Sequence, residues 1–359
     1  MSRIAAVAAA LPEHEYPQAA ITDLIAPLVT TDPSRQALLR RLHASTRVDR
    51  RHLVLPLEQY RDAVTFGQTN DRFVAEATTL AAGAVTEALQ QAGVGADEVD
   101  LVVFTSVTGV SAPSVDALLV PLVGLREDVK RMPMFGLGCV AGASGIARVH
   151  DYLAGHPDEV ALLVSVELCS LTVQRDDDSM DNLVASGLFG DGAAAVVLVG
   201  DAHPAPGPQV VATRSRLYPD SRDVIGFRPS ETGFRVILSA GVVPVIDANF
   251  AADVRAFLAA NGLTVPEVAS WVAHPGGPKV LDAFARGLQL PAGALDRSWA
   301  SMAAVGNLSS SGVLHVLADE LAASHAEGDH GLLFALGPGV SAELVLLRWG
   351  APVPQQAAA

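Results

Sequence analysis

The stretch Met134–Gly145, MFGLGCVAGASG, sets one of the chain's two cysteines between glycines at a strand-to-helix transition. RMPMFGLG (131–138) reads as a strand and CVAGASGIARVHDYLAG (139–155) as a helix ending near Gly155. Two chemistries fit. GLGCVA matches the glycine fingerprint that lets a backbone approach a dinucleotide pyrophosphate, with Glu167 at the end of the next apolar strand as a ribose-binding acid. A lone match of this kind is weak, and here a strand–helix–strand run precedes it. Alternatively, Cys139 sits at a helix N-terminus, where the dipole and unpaired N–H groups favour thiolate. Flanking glycines then leave room for a thioester.

Composition narrows the field. The 359 residues carry 24 basic and 39 acidic side chains, a net charge of −15, which argues against a nucleic-acid binder. Arg35, Arg40, Arg41, Arg47, Arg50 and Arg51 form a local basic concentration, readable as an anion site or as an ordinary solvated face. Cys139 and Cys169 are too few for a disulfide framework or a zinc site, which suits a reducing cytoplasm. Half the residues are hydrophobic, yet no run is long enough to span a membrane. The apolar start, Ile4–Leu11, reads as a first strand rather than a signal peptide.

Apolar strands alternate with helices along the chain. A helix is expected over 72–91 with Gly93 as its stop, and strands in DLVVFTSVTGV (100–110) and EVALLVSVEL (159–168). In the second half VASWVAHPGG (268–277) reads as strand and turn, and PKVLDAFARGL (278–288) and SSSGVLHVLADELAA (309–323) as helices. GDGAAAVVLV (190–199) echoes GPGVSAELVL (337–346), each a Gly-x-Gly turn feeding an apolar strand. The expectation is a duplicated α/β unit joined at GDAHPAPGPQ (200–209), with halves 1–203 and 204–359.

A nucleophilic cysteine needs a base and an oxyanion stabiliser. His274 ends an apolar strand before a Pro-Gly-Gly-Pro turn, and Asn307 opens a helix. Taken singly, Asn307 reads as an N-cap, His274 as a satisfied core histidine, and Cys139 as a buried thiol nearly as well as a nucleophile. Together, at element boundaries in matching halves, they read as a Cys–His–Asn site.

With these pieces on the page, the chain resembles the chalcone synthase superfamily, the type III polyketide synthases of the thiolase-like fold. GLGCVAGASG, GLFGDGAAA, VAHPGGP, GNLSSSGVL and ALGPGVS carry the resemblance, which extends over nearly the whole chain. It implies a thiolase-like duplicated αβαβα layered fold and a homodimer. It implies that Cys139 carries the acyl chain, that His274 holds it as thiolate, and that His274 and Asn307 hydrogen-bond the thioester oxygen of malonyl-CoA during decarboxylation. Acyl-CoA and malonyl-CoA are then substrates, with no cofactor and no metal. Phe189 corresponds to a gatekeeper, and Gly337, Pro338 and Gly339 to a loop shaping the cavity.

Other positions depart from the family's plant members. Val236 stands where a second gatekeeping phenylalanine is found, and Ala112 where a methionine reaches across the dimer. Thr172, Cys169 and Ser309 match pocket positions. Arg41 and Lys279 are the CoA-binding candidates, while Ser45 stands where a lysine is common. The two emptied positions suggest an aliphatic starter and an alkylpyrone or alkylresorcinol product. The rivals are a β-ketoacyl synthase III making one condensation, an NAD-binding dehydrogenase, a papain-like hydrolase and an inactive scaffold.

Overall fold

The computed structural model describes residues 1–62 and 65–350, so the last nine residues of the expected C-terminal half lie outside it. Its centre is one nine-stranded sheet. In chain order the strands are β1 (Ser2–Ala10), β2 (Val99–Thr105), β3 (Lys130–Met134), β4 (Val160–Leu168), β5 (Asp191–Gly200), β6 (Gln209–Leu217), β7 (Val268–Ala273), β8 (His330–Gly337) and β9 (Ser341–Arg348). Their spatial order is β7-β8-β9-β6-β1-β5-β4-β2-β3.

The order contains its own repeat. In the N-terminal half, β2 and β4 pair in parallel, and β4–β5 and β5–β1 antiparallel. In the C-terminal half, β7 and β8 pair in parallel, and β8–β9 and β9–β6 antiparallel. The halves meet where β1 pairs with β6 at Ser2↔Val210 and Arg3↔Gln209. The echoed Gly-x-Gly segments become the equivalent strands β5 and β9. Every residue of β4 and β5 is buried, which requires cover on both faces and explains their unbroken apolar runs.

Five helices position the site: α1 (Gln18–Val29), α2 (Phe66–Ala92), α3 (Ala141–Ala154), α4 (Pro278–Leu288) and α5 (Gly312–Leu321). Helix α3 packs on strands of both halves and on α5, so this pair forms a central layer. Ile146, Val149, Val313 and Leu317 join Leu163, Val196, Leu333 and Val345 there in one fully buried cluster. Helix α2 covers the outer face of the N-terminal half through Ala77, Ala81, Ala84 and Ala88. On the C-terminal half, Phe250, Phe284 and Phe334 pack ring against ring at 4.7–5.1 Å. Burying each large apolar side chain contributes about 1.5–3 kcal/mol.

Helix α2 begins six residues before the expected Arg72. Thr65 and Gln68 form a capping box that satisfies the first turn's N–H groups, and Gly93 ends the helix at φ 67° as expected. Among the described residues no helix is long and apolar enough to cross a membrane.

Candidate active site

The glycines of GLGCVAGASG have a packing reason. Gly138 has φ 54°, and a Cβ there would lie 2.7 Å from Pro338. At Gly142 a Cβ would lie 2.3 Å from the Ser310 carbonyl oxygen, and at Gly145 2.4 Å from Leu163. The turn is thus pressed against Pro338 and Ser310 of the other half of the molecule and against Leu163 of its own, which removes the space a pyrophosphate would need. The expectation that these glycines clear a path for substrate gives way to close approach between helices. Glu167 does not await a ribose either. Its Oε2 accepts from Thr108 Oγ1 at 3.0 Å, the Val107 amide at 3.1 Å and Ser106 Oγ at 3.3 Å. Its Oε1 accepts from Ser309 Oγ at 3.2 Å and from the Ser310 hydroxyl.

Cys139 lies in a single 3-10 turn, Gly138–Val140, immediately ahead of α3. His274 follows β7 and continues its pairing, its amide donating to the Phe334 carbonyl at 2.9 Å. Asn307 bridges to Phe189, with the Asn307 amide donating to Leu188 O and the Gly190 amide to Asn307 O. Cys139, His274, Asn307, Phe189, Val236 and Pro338 all line one chamber, with about 50 Å³ of water-accessible space.

The resting contacts differ from the expected thiolate–imidazolium pair. The Cys139 thiol donates to Ser309 Oγ at 3.7 Å, and among the described residues neither ring nitrogen of His274 has a hydrogen-bond partner. Burial pushes the thiol up to about 12, opposed by the hydrogen bond it shares with Ser309. Burial also lowers His274 to about 3. With no bond joining them, desolvation rules, and both groups rest neutral. Nδ1 of His274 also faces Gly312, the first residue of α5, where a Cβ would approach to 3.2 Å. A helix N-terminus disfavours a cation there.

Asn307 serves both readings. Its Oδ1 accepts from the Ser309 amide at 2.8 Å, a cap on the following turn. Its Nδ2 donates to Gly276 O at 3.2 Å, leaving a second amide hydrogen for the chamber.

A second, inner chamber abuts the first across Phe189, Phe227 and Val236. It has about 40 Å³ of water-accessible space. Thr172, Cys169 and Ser309 line it, as the sequence suggested, together with Thr108, Ser170, Asn182 and Ser186. The lining residues that were not anticipated include Tyr60, Phe227 and Arg51. Arg51 belongs to the basic run readable as an anion site or as a solvated face, and it is only 3% exposed. It lies on the short strand Arg50–Leu53, whose alternation turns Arg50 and His52 away and Arg51 and Leu53 inward. That alternation was the signal available. Burial lowers the guanidinium to about 10, which leaves it a cation at neutral pH.

Several expected residues lie elsewhere. Ala112 lines neither chamber but an exposed cavity of about 450 Å³ with Phe135 and Arg131. Gly337 and Gly339 hold the loop behind Pro338 without lining a chamber; a Cβ on Gly337 would lie 2.5 Å from the Leu137 carbonyl. Arg41, at the end of the helix Pro33–Ala44, and Lys279, in the first turn of α4, are exposed.

Comparison with known proteins follows the same division of the chain. Residues 1–203 match the N-terminal domain of chalcone and stilbene synthases, and residues 209–350 their C-terminal domain. The chain is 53% identical over 350 residues to a 1,3,6,8-tetrahydroxynaphthalene synthase of Streptomyces peucetius subsp. caesius, covering 96% of this chain and 93% of that one. It is 30% identical over 357 residues to an alpha-pyrone synthesis polyketide synthase-like protein of Mycobacterium tuberculosis, covering 96% and 90%. The crystal structure of 1,3,6,8-tetrahydroxynaphthalene synthase from Streptomyces coelicolor, a bacterial type III polyketide synthase, superposes with a TM-score of 0.91 at 30% identity, covering 97% of this chain and 99% of that one.

Proposed function

The chain belongs to the chalcone and stilbene synthase family and is a type III polyketide synthase, and from that premise we propose that it makes 1,3,6,8-tetrahydroxynaphthalene from malonyl-CoA alone. The carrying observation is the 53% identity, over 96% of this chain, to a synthase of that product. The product's carbon count follows from its name. A naphthalene has ten ring carbons, hence five two-carbon units, with oxygens on alternate carbons as a poly-β-ketone leaves them. Five malonyl-CoA give one tetrahydroxynaphthalene, five CoA, five carbon dioxide and one water.

In this reading Cys139 is the acyl carrier. His274, with both ring nitrogens unbonded, takes the thiol proton as sulfur attacks the thioester carbonyl, and returns it to the departing CoA sulfur. The next malonyl thioester places its carbonyl oxygen against His274 and the spare Asn307 amide hydrogen. Breaking the bond to the carboxylate releases carbon dioxide and puts the electron pair on that oxygen, where the donors stabilise it. The enolate carbon then attacks the Cys139 thioester. Loss of carbon dioxide drives the step, so the reading calls on no cofactor. It includes a homodimer, with exposed Arg41 and Lys279 as candidate contacts for CoA phosphates.

A second reading keeps the aliphatic starter and an alkylpyrone or alkylresorcinol product. Ile21, Leu24, Ile25 and Leu53 form an apolar wall of the inner chamber that suits an alkyl end, and a relative at 30% identity is described by alpha-pyrone synthesis. Purified protein given malonyl-CoA alone, with products read by mass spectrometry, decides between them. Tetrahydroxynaphthalene supports the first reading. Product only when an alkyl-CoA is added overturns it in favour of the second.

A further inference from the structure

The inner chamber holds a charge that the chain leaves partly unanswered. Arg51 Nε donates to Gln18 Oε1 at 3.0 Å and Nη1 to the Phe189 carbonyl at 2.6 Å. Its Nη2 is buried and has no hydrogen-bond partner among the described residues. The nearest opposing influence is Asp191, but that carboxylate accepts from the Ser170 and Val54 amides, each at 2.8 Å, and from the Ser170 hydroxyl. A guanidinium with an unused N–H group in a water-poor chamber is costly unless a ligand completes it. Arg51 is the one cationic side chain lining either chamber among the described residues.

We propose that Arg51 Nη2 binds the carboxylate at the far end of a chain started from malonyl-CoA, which makes Arg51 a starter-selecting residue. The inference rests on the malonyl-primed reading above. Each condensation inserts two carbons at the thioester end, so the starter end is pushed away from Cys139 and into the inner chamber that Ser309 joins to the nucleophile. A malonyl starter that has kept its carboxylate presents an anion there. An alkyl starter presents nothing a guanidinium can pair with. Later loss of that carboxylate from its β-keto acid supplies the fifth carbon dioxide. Arg51 also ties the Phe189 carbonyl, so the test must separate ligand from anchor.

CoA release and products are followed for the full chain with malonyl-CoA alone, and separately with hexanoyl-CoA plus malonyl-CoA. Arg51→Gln is expected to lower malonyl-primed turnover by about tenfold or more while hexanoyl-primed turnover changes by less than about threefold. Gln18→Glu sets a carboxylate against Arg51 Nε while retaining the guanidinium, and is expected to show the same split. It serves if Arg51→Gln does not fold. Equal losses for the two starters mean that Arg51 is an anchor only, and unchanged malonyl priming means that Nη2 binds nothing; either overturns the proposal. Wild-type protein that extends hexanoyl-CoA but makes nothing from malonyl-CoA alone overturns the malonyl-primed reading, and the carboxylate with it, before any variant is compared.

Discussion

The thiol of Cys139 hydrogen-bonds Ser309 Oγ at 3.7 Å, and Ser309 passes its own hydrogen to Glu167 Oε1 at 3.2 Å. Cys139 is therefore tied at rest to a buried carboxylate through one hydroxyl, while His274 in the same chamber has no side-chain hydrogen-bond partner among the described residues. Glu167 is itself pushed upward by burial against its many donors.

Ser309→Ala removes the hydroxyl that opposes the upward push on the Cys139 thiol. When Cys139 ionises, the Ser309 hydroxyl turns its one hydrogen from Glu167 to the sulfur, so without it alkylation of Cys139 by iodoacetamide at fixed pH is expected to slow by about tenfold, the equivalent of one hydrogen bond to a charged sulfur. The comparison is made in a Cys169→Ala background. An unchanged or faster rate removes the link between Ser309 and the nucleophile.

Cys139→Ala is expected to abolish the acyl–protein adduct seen by intact-protein mass spectrometry and to reduce product formation by about three orders of magnitude or more. Slow decarboxylation of malonyl-CoA is expected to remain, because in the proposed mechanism His274 and Asn307 still face the thioester oxygen. Product at wild-type rate would place the nucleophile elsewhere.

Val236 is shared by both chambers with Phe189 and Phe227. Val236→Phe adds a ring at their junction and is expected to shift products from the fully extended chain to shorter lactones. The chromatographic ratio of these products reads the effect, and an unaltered ratio shows that the chain does not cross there.

Burial lowers His315 to about 4, and its Nε2 hydrogen-bonds the Ala193 carbonyl. The ordinary unfolded value is 6.5, so between these values the unfolded chain binds more protons and stability falls as pH falls. At about pH 7 His315→Gln costs only the contact. At about pH 5 wild-type protein also bears up to about 2 kcal/mol of proton-uptake penalty that the variant lacks. The urea-unfolding difference between the two proteins should therefore shrink by that amount, and a constant difference would contradict a neutral buried His315.

Glycine substitutions separate packing from propensity. Gly142→Ala drives a Cβ to 2.3 Å from a backbone oxygen and is expected to destabilise by about 2–3 kcal/mol. Gly83, exposed within α2 with nothing within 4 Å of its added Cβ, is expected to stabilise by about 0.5–1 kcal/mol as Ala. Thermal midpoints should move in opposite directions.

Most of the architecture was legible along the chain because its cues are local. Continuous apolar runs marked β4 and β5, a left-handed Gly93 marked the end of α2, and Pro278 opened α4 at the expected residue. Cys139, His274 and Asn307 stood out because each sits where one element hands over to the next. Thr65 was overlooked as a cap, and α2 came out longer on that account. Ala112, expected at a position that reaches across a dimer, lies on a loop that faces an exposed cavity of this chain.

What the sequence determined by itself is the duplicated layering and the placing of Cys139, His274 and Asn307 at element boundaries, since strand burial, helix stops and turn glycines depend on near neighbours. The tertiary structure decided which charges the site contains. Arg50 and Arg51 are adjacent and chemically alike, yet only Arg51 faces inward to meet Gln18 and Phe189. Desolvation is set by segments far apart in sequence, so the neutral resting state of Cys139 and His274, and the buried cation Arg51 of the inner chamber, appear only once those segments close around them.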